Sequence, residues 1–164
     1  MAKVDITKGM KVYMIDPAAN SGAGAVVELK KVTSFNFGGA PATEIDDTTF
    51  DNEEVMTRLA GLKDPGQATL NVLHSLGEAS HKTLKDLDDA GDSQTTTFAV
   101  GFTDGTDAPT ITDGEFTYPA TRSFMAIKGW VLDWPIDFQL NSSVPVPVSI
   151  RRTSKLIVSR KTPA

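Results

Sequence analysis

Residues 26–74 read VVELKKVTSFNFGGAPATEIDDTTFDNEEVMTRLAGLKDPGQATLNVLH. Both ends have β-strand character. Val26–Phe37 alternates, with Val27, Leu29, Thr33, Phe35 and Phe37 on one side, and so does Gln67–His74. Between them lies Gly38–Gly66, far longer than an ordinary hairpin loop. It opens on Gly38-Gly39 and Pro41 and closes on Asp64-Pro65-Gly66, both strong turn signals. Its interior is unlike a linker: Ile45, Phe50, Val55, Met56, Leu59 and Leu62 are set among Asp46, Asp47, Asp51, Glu53, Glu54 and Arg58. A segment this rich in large apolar groups gains by burying them, and a small domain offers little surface of its own. A second copy of the chain is the expected cover. The part from Asn52 to Leu62 fits either a helical turn or an extended return.

Outward from this stretch, the other signals are also mainly β. Lys11–Ile15 forms a short strand, and the Gly/Ala/Ser run after Asp16-Pro17 a loop. Ser75-Leu76-Gly77-Glu78 has the form of a capping box, predicting one helix over Leu76–Ala90, with Gly91 as its stop. Thr95–Thr103 is a strand, Asp104-Gly105 and Asp113-Gly114 are turns, and Phe116–Tyr118 is a short strand. In Arg122–Leu140, Trp130, Leu132, Trp134, Ile136, Phe138 and Leu140 fall on every second position. This predicts a long strand with its even face in the core and Asp133 and Asp137 on a polar face. Val144–Ile150 alternates too. Pro145 and Pro147 on its other side predict an edge or a sheet corner. Leu156–Val158 is a last short strand. The expected fold is mainly β: a β-sandwich or barrel of roughly eight strands, one flanking α-helix and one long β-hairpin loop. It forms a single domain over 1–164, with an N-terminal arm 1–9, the loop 38–66 and a C-terminal tail 160–164.

The 164 residues carry a formal charge of −5, which argues against a surface built to grip nucleic acid or an anionic membrane. There is no cysteine, hence no disulfide or thiolate metal site. No segment has the form of a signal peptide or approaches the roughly 18 apolar residues of a membrane span. Catalytic signals are missing as well. His74 and His81 lack the further ligands of a spaced metal set. Counting from Asp86, a calcium loop would need oxygens where Ala90 stands, so Asp86, Asp88, Asp89 and Asp92 read as a solvated helix face. No nucleophile elbow, P-loop or dinucleotide fingerprint occurs. Asp46/Asp47 and Glu53/Glu54 sit on the long loop, a poor platform for acid–base work. No enzyme activity and no cofactor are expected. Trp130 and Trp134 read as core residues, and only a water-facing pair would make a glycan platform. Arg151, Arg152, Lys155, Arg160 and Lys161 are the one basic cluster, a match in charge for the acidic 44–54 stretch of another copy.

Taken together, these features resemble the tail tube (major tail) proteins of long-tailed bacteriophages. The resemblance is specific over Thr43–Val72, TEIDDTTFDNEEVMTRLAGLKDPGQATLNV, with its acidic Thr-rich loop, the G-L-x-D-x-G turn at Gly61–Gly66 and the strand leading out. The order of strand, loop, helix and strands fits the rest of the chain. The resemblance implies a virion protein, assembled in the host cytoplasm, whose hexameric rings join their sheets into an inner β-barrel. The rings stack into a hollow tube around a tape-measure protein, with terminator and baseplate proteins at the ends. DNA passes through without specific binding, and no membrane is involved. It implies inter-subunit contacts on the loop and arms: Ile45, Phe50, Val55, Met56, Arg58, Leu59 and Leu62, with Arg151, Arg152 and Arg160. An acidic chain suits a bore along which DNA must slide, so Asp133 and Asp137 are expected to face the lumen. Two other classes share many of these features: a type VI secretion-like tube protein, and a monomeric β-sandwich glycan-binding module.

Overall fold

The computed structural model of the chain describes residues 8–49, 56–140 and 142–162. The body is one antiparallel sheet. Its strands are β1 (Lys11–Asp16), β2 (Ala25–Leu29), β3 (Val32–Asn36), β6 (Gln67–Leu73), β7 (Thr96–Gly101), β10 (Phe124–Asp133), β11 (Pro145–Arg152) and β12 (Ile157–Ser159). They run in the order β2-β1-β7-β10-β11-β6-β3, with β12 pairing to the start of β10. Two small hairpins stand apart: β4 (Ala42–Asp46) with β5 (Arg58–Lys63), and β8 (Thr110–Thr112) with β9 (Glu115–Thr117).

The chain order imposes curvature on this sheet. β2 and β3 lie at its two opposite edges, yet only Lys30 and Lys31 separate them. The sheet therefore curls until its edges nearly meet, without pairing and closing. The alternating Val26–Phe37 stretch is thus two strands, not the one expected. Lys31, at φ 57°, makes the break, and its carbonyl accepts from Leu73 N–H at 2.9 Å. Inside the curl, Val12, Met14, Leu29, Leu70, Val72, Phe98, Ile127, Val131, Val146, Val148 and Ile150 form the main core. Each buried side chain of this size stabilises the fold by about 1.5–3 kcal/mol. Helix α1 (Ala79–Ala90) closes one mouth of the curl with Leu84 and Leu87. A smaller cluster of Tyr13, Ala99, Phe124 and Ala126 lies on the outer face, covered by Phe116 and Tyr118 of the β8–β9 segment. The Asp113-Gly114 turn closes that hairpin with positive φ at both residues, as its sequence predicts.

Three further expectations are corrected. The helix starts at Ala79 rather than Leu76, with Glu78 at the N-cap and no side-chain cap bond. Ser75–Gly77 form a turn that leaves Leu76 in solvent. The 122–140 alternation ends as a strand at Asp133, and its inward face is the odd one. Val131 pairs with the core residue Ile150, so it points inward, and Trp130 pairs with Arg151 and points out. A bulge between Val131 and Asp133 then turns Trp134 inward, while Ile136, Phe138 and Leu140 lie in an exposed loop. Finally, β11 is an interior strand despite Pro145 and Pro147. Its ladder to β10 begins only at Ser149, so the proline stretch has β6 on one side and a local edge on the other.

Gly38 marks where the sheet releases the long hairpin. Its φ is +69°, and a Cβ there would sit 1.9 Å from the Gln67 carbonyl oxygen, a backbone atom that cannot retreat cheaply. Gly38→Ala is expected to cost at least about 2 kcal/mol, read as a midpoint drop of roughly 4–8 °C. Gly39→Ala, which meets open space, is the control and stays within about 0.5 kcal/mol of wild type. Equal melting curves for the two variants would refute this account of the exit.

Candidate functional site

The hairpin β4–β5 grows out of the β3–β6 pair and packs chiefly against itself. Of the two alternatives for Asn52–Leu62, the described part is the extended return. Ile45 pairs with Leu59, and Asp46 with Arg58. Ile45 and Leu59 share one face. Gly61 lies on the same face, where a Cβ would collide with Ile45 and the Thr43 carbonyl. Leu62 is on the opposite face and is 89 % exposed. Met56, Ile45 and Leu59 are exposed too. Apolar groups thus face water on both sides of a two-stranded ribbon, an arrangement of marginal stability unless something covers it. Phe50 and Val55 lie outside the described residues. Arg58 bonds Glu44 across its own hairpin, an exposed pair that contributes little.

The basic cluster holds the hairpin's base. Arg152 is buried: its Nη1 donates to the Phe37 carbonyl at 2.9 Å and its backbone N–H to the Gly66 carbonyl at 3.1 Å. Arg152, expected at a contact with another subunit, has its charge engaged by carbonyls of its own protomer. Arg151 points the other way and donates to Asp64 at 3.1 Å. Arg160 is exposed, and the tail after it is tied to its own body as far as Thr162, which donates to the Ala120 carbonyl at 2.9 Å. The hairpin thus leaves the domain between two consecutive arginines, one beneath its root and one beside it. No sequence period marks this pairing, because the partners are more than 80 residues away.

Asp64 has a further role there. Its carboxylate accepts from Gly66 N–H at 2.9 Å, and that bond, with Arg151 nearby, holds its pKa below the usual carboxylate value despite some desolvation. A depressed folded-state pKa means a stabilising contribution present above about pH 4 and lost as the pH falls through the folded value. Acidification in that window is expected to lower the protection factor of the Gly66 amide, its exchange rate by NMR taken relative to the intrinsic rate at each pH. Asp64→Asn is expected to remove the pH dependence, and an unchanged acid response in that variant would count against it.

The second surface is the outward face of β3–β6–β11 and the end of β10. Its cross-strand rows follow from the register. Gln67, Arg151 and Trp130 form one row; Asn36, Thr69, Ser149 and Asp133 the next; Ser34, Asn71 and Pro147 a third. Asn71 donates to Ser34 Oγ at 2.7 Å. No helix or hairpin covers this face among the described residues; its central rows are short and mostly neutral polar groups, with Trp130 and Arg151 at one end and Leu73 and Pro145 at the other. Asp133 lies on it. Asp137 does not: it sits in the loop after β10, accepting from Gln139 at 2.9 Å, so its expected place on a strand face is corrected. Trp134 is buried and cannot serve as a glycan platform, and Trp130 is half-buried. Among the described residues no cluster of His, Asp or Glu is disposed to hold a metal.

Comparison with known proteins places these surfaces in context. A family model described as "Phage tail tube, TTP, lambda-like" matches residues 3–162. "Structural protein 3" of Pseudomonas phage PAJU2 is 31% identical over 172 residues, covering 98% of each chain. Among solved structures, the SPP1 tail tube superposes with a TM-score of 0.61 at 10% identity, over 96% of this chain and 80% of that one. A chain of the anti-feeding prophage baseplate superposes with a TM-score of 0.64 at 6% identity, covering 98% of each.

Proposed function

We infer that this chain, which belongs to the lambda-like phage tail tube family, builds its tube from stacked rings of six copies held together by the β4–β5 hairpin. As a member of that family it is a structural component of the phage virion and not an enzyme. The observation that carries the stacking is the hairpin itself: among the described residues, Ile45, Met56, Leu59 and Leu62 are each more than half exposed. Stacked copies would bury these groups, and a contact between unlike surfaces propagates into a filament instead of stopping at a dimer.

Within each ring, the free edges of β2 and β3 are the places where sheets of neighbouring copies can join. The uncovered face with Asn36, Thr69, Ser149 and Asp133 then lines the bore. A lining of short neutral groups and a carboxylate gives DNA phosphates nothing to hold, whereas a row of lysines would release counterions and bind. Arg151, the one guanidinium of these rows, is occupied by Asp64. A tape-measure protein fills the bore before DNA, and terminator and baseplate proteins cap the ends. Concentrating the purified protein and imaging it by electron microscopy tests the reading: rings and tubes are expected. A monodisperse monomer at the highest attainable concentration would refute it.

A further inference from the structure

The large apolar side chains left exposed fall mainly into two groups. One is the hairpin. The other lies at the opposite end of the same strands, where Leu76 is 92 % exposed, Phe138 76 % and Leu140 93 %, with Ile136 beside them. β6 runs from the hairpin's root to this far end. Its seven residues separate the two groups by roughly 20 Å, at about 3.3 Å per residue. The hairpin strands, of five and six residues, have a similar reach.

The far end is built rather than loose. His74 and His81 stack with ring centroids 6.0 Å apart, and Trp134 meets His74 edge-on at 6.0 Å. His81 is buried; its Nδ1 accepts from Ser75 N–H at 3.1 Å, which leaves Nε2 to donate to the Lys30 carbonyl at 2.9 Å. The Val144 carbonyl accepts from His74 N–H at 2.8 Å. The Ser75–Gly77 turn and the two ends of the loop between β10 and β11 are thereby anchored, while their apolar tips stand in water. Charged groups of both signs flank the two ends. Lys30, Lys31 and Lys82 lie on the helix side, Lys30 paired with Glu28 at 2.7 Å and Lys31 with Glu78 at 3.5 Å. The hairpin side carries Glu44, Asp46 and Asp47. On the loop side the far end carries Asp137, and the hairpin carries Lys63 and Arg58, the latter paired with Glu44.

We propose that this far end is the seat of the hairpin: Leu76, Ile136, Phe138 and Leu140 of one copy receive Ile45, Leu59 and Leu62 of the copy stacked against it. The inference rests on the stacking reading above and adds which surface takes the hairpin. Because the two patches lie at opposite ends of the same strands, one copy cannot satisfy both, and each contact leaves an unfilled patch at either end of the stack.

Two full-length variants test it. One blunts the hairpin (Leu59→Ser with Leu62→Ser); the other blunts the far end (Phe138→Ser with Leu140→Ser). All four positions are exposed, so both variants are expected to fold, which circular dichroism melts check. Wild type is expected to form tubes, and each variant alone to stop at single rings. Mixing preformed rings of the two is expected to give two-ring stacks and nothing longer, a doubling of mass in sedimentation velocity, because only one productive pair of surfaces remains. A far-end variant that grows tubes of wild-type length overturns this proposal and leaves the hairpin reading standing, as does a mixture that stays at single rings. Wild type that never stacks overturns the stacking reading, and this inference with it. The chain has no cysteine, so Leu62→Cys and Leu140→Cys supply an independent check with a bis-maleimide linker. Co-assembled chains are expected to cross-link Leu62→Cys to Leu140→Cys. Tubes in which only like positions cross-link would overturn the assignment.

Discussion

Deletion of Thr43–Asp64 is expected to abolish tube growth completely while the β-domain stays folded. The described residues among them contribute exposed apolar groups and the exposed Arg58–Glu44 pair to their own protomer. Losing them, together with the exposed Arg151–Asp64 pair, is expected to leave stability little changed, since exposed pairs of this kind contribute little. For a domain of this size the melting midpoint then moves by a few degrees at most. The main core lies outside the deletion, and Arg152 still spans Phe37 and Gly38. The checks are electron microscopy for tubes and near-ultraviolet circular dichroism for the packed core. Tubes that persist would remove the hairpin from the assembly. A lost near-ultraviolet signal would mean that the hairpin belongs to the fold after all.

Arg122→Met is expected to have the opposite signature, a large loss of stability wherever the protein sits in the tube. Arg122 is 1 % exposed. Its Nε donates to the Phe102 carbonyl at 2.6 Å and its Nη2 to the Gly101 carbonyl at 2.9 Å. Nη1 donates to the Tyr13 hydroxyl at 3.1 Å and to the Asp107 carbonyl at 3.2 Å. The guanidinium also lies over the rings of Tyr13 and Phe124, 5.9 and 5.4 Å from their centroids. It ties the connection between β7 and β10 back to β1. Methionine fills much of the volume but strands several buried acceptors. Breaking a buried charged network of this kind costs about 3–5 kcal/mol, roughly 10 °C in midpoint. Gly101 is part of the same device, because a Cβ there would come within 2.6 Å of the guanidinium carbon. A midpoint within 2 °C of wild type would show that the network contributes little.

Arg122 also illustrates what a sequence conceals. Nothing adjacent to it signals burial, and its acceptors are brought together only when β1, β7 and the following loop converge. Arg152 is the same case: it reads as one of a basic run, and only the register of β11 against β6 turns it under the hairpin while Arg151 faces out. The even-numbered series from Trp130 to Leu140 misleads for a related reason. Alternation reports that a strand has two unlike faces, but which face is inward is set by pairing with Ile150. The bulge before Asp133 then ends the pattern's meaning. The long hairpin, by contrast, was readable at once, because glycines and prolines mark its ends and its excess of apolar residues is local.

The sequence alone determined the mainly-β class, the single flanking helix and the oversized excursion between residues 38 and 66. These depend on period, turn chemistry and composition, all of which act between near neighbours in the chain. The tertiary structure decided the rest. It placed β2 and β3 at opposite edges of a curled sheet and Asp133 but not Asp137 on the uncovered face. It also set a second apolar patch at the end away from the hairpin. Those choices depend on contacts between residues tens of positions apart, which no local pattern encodes.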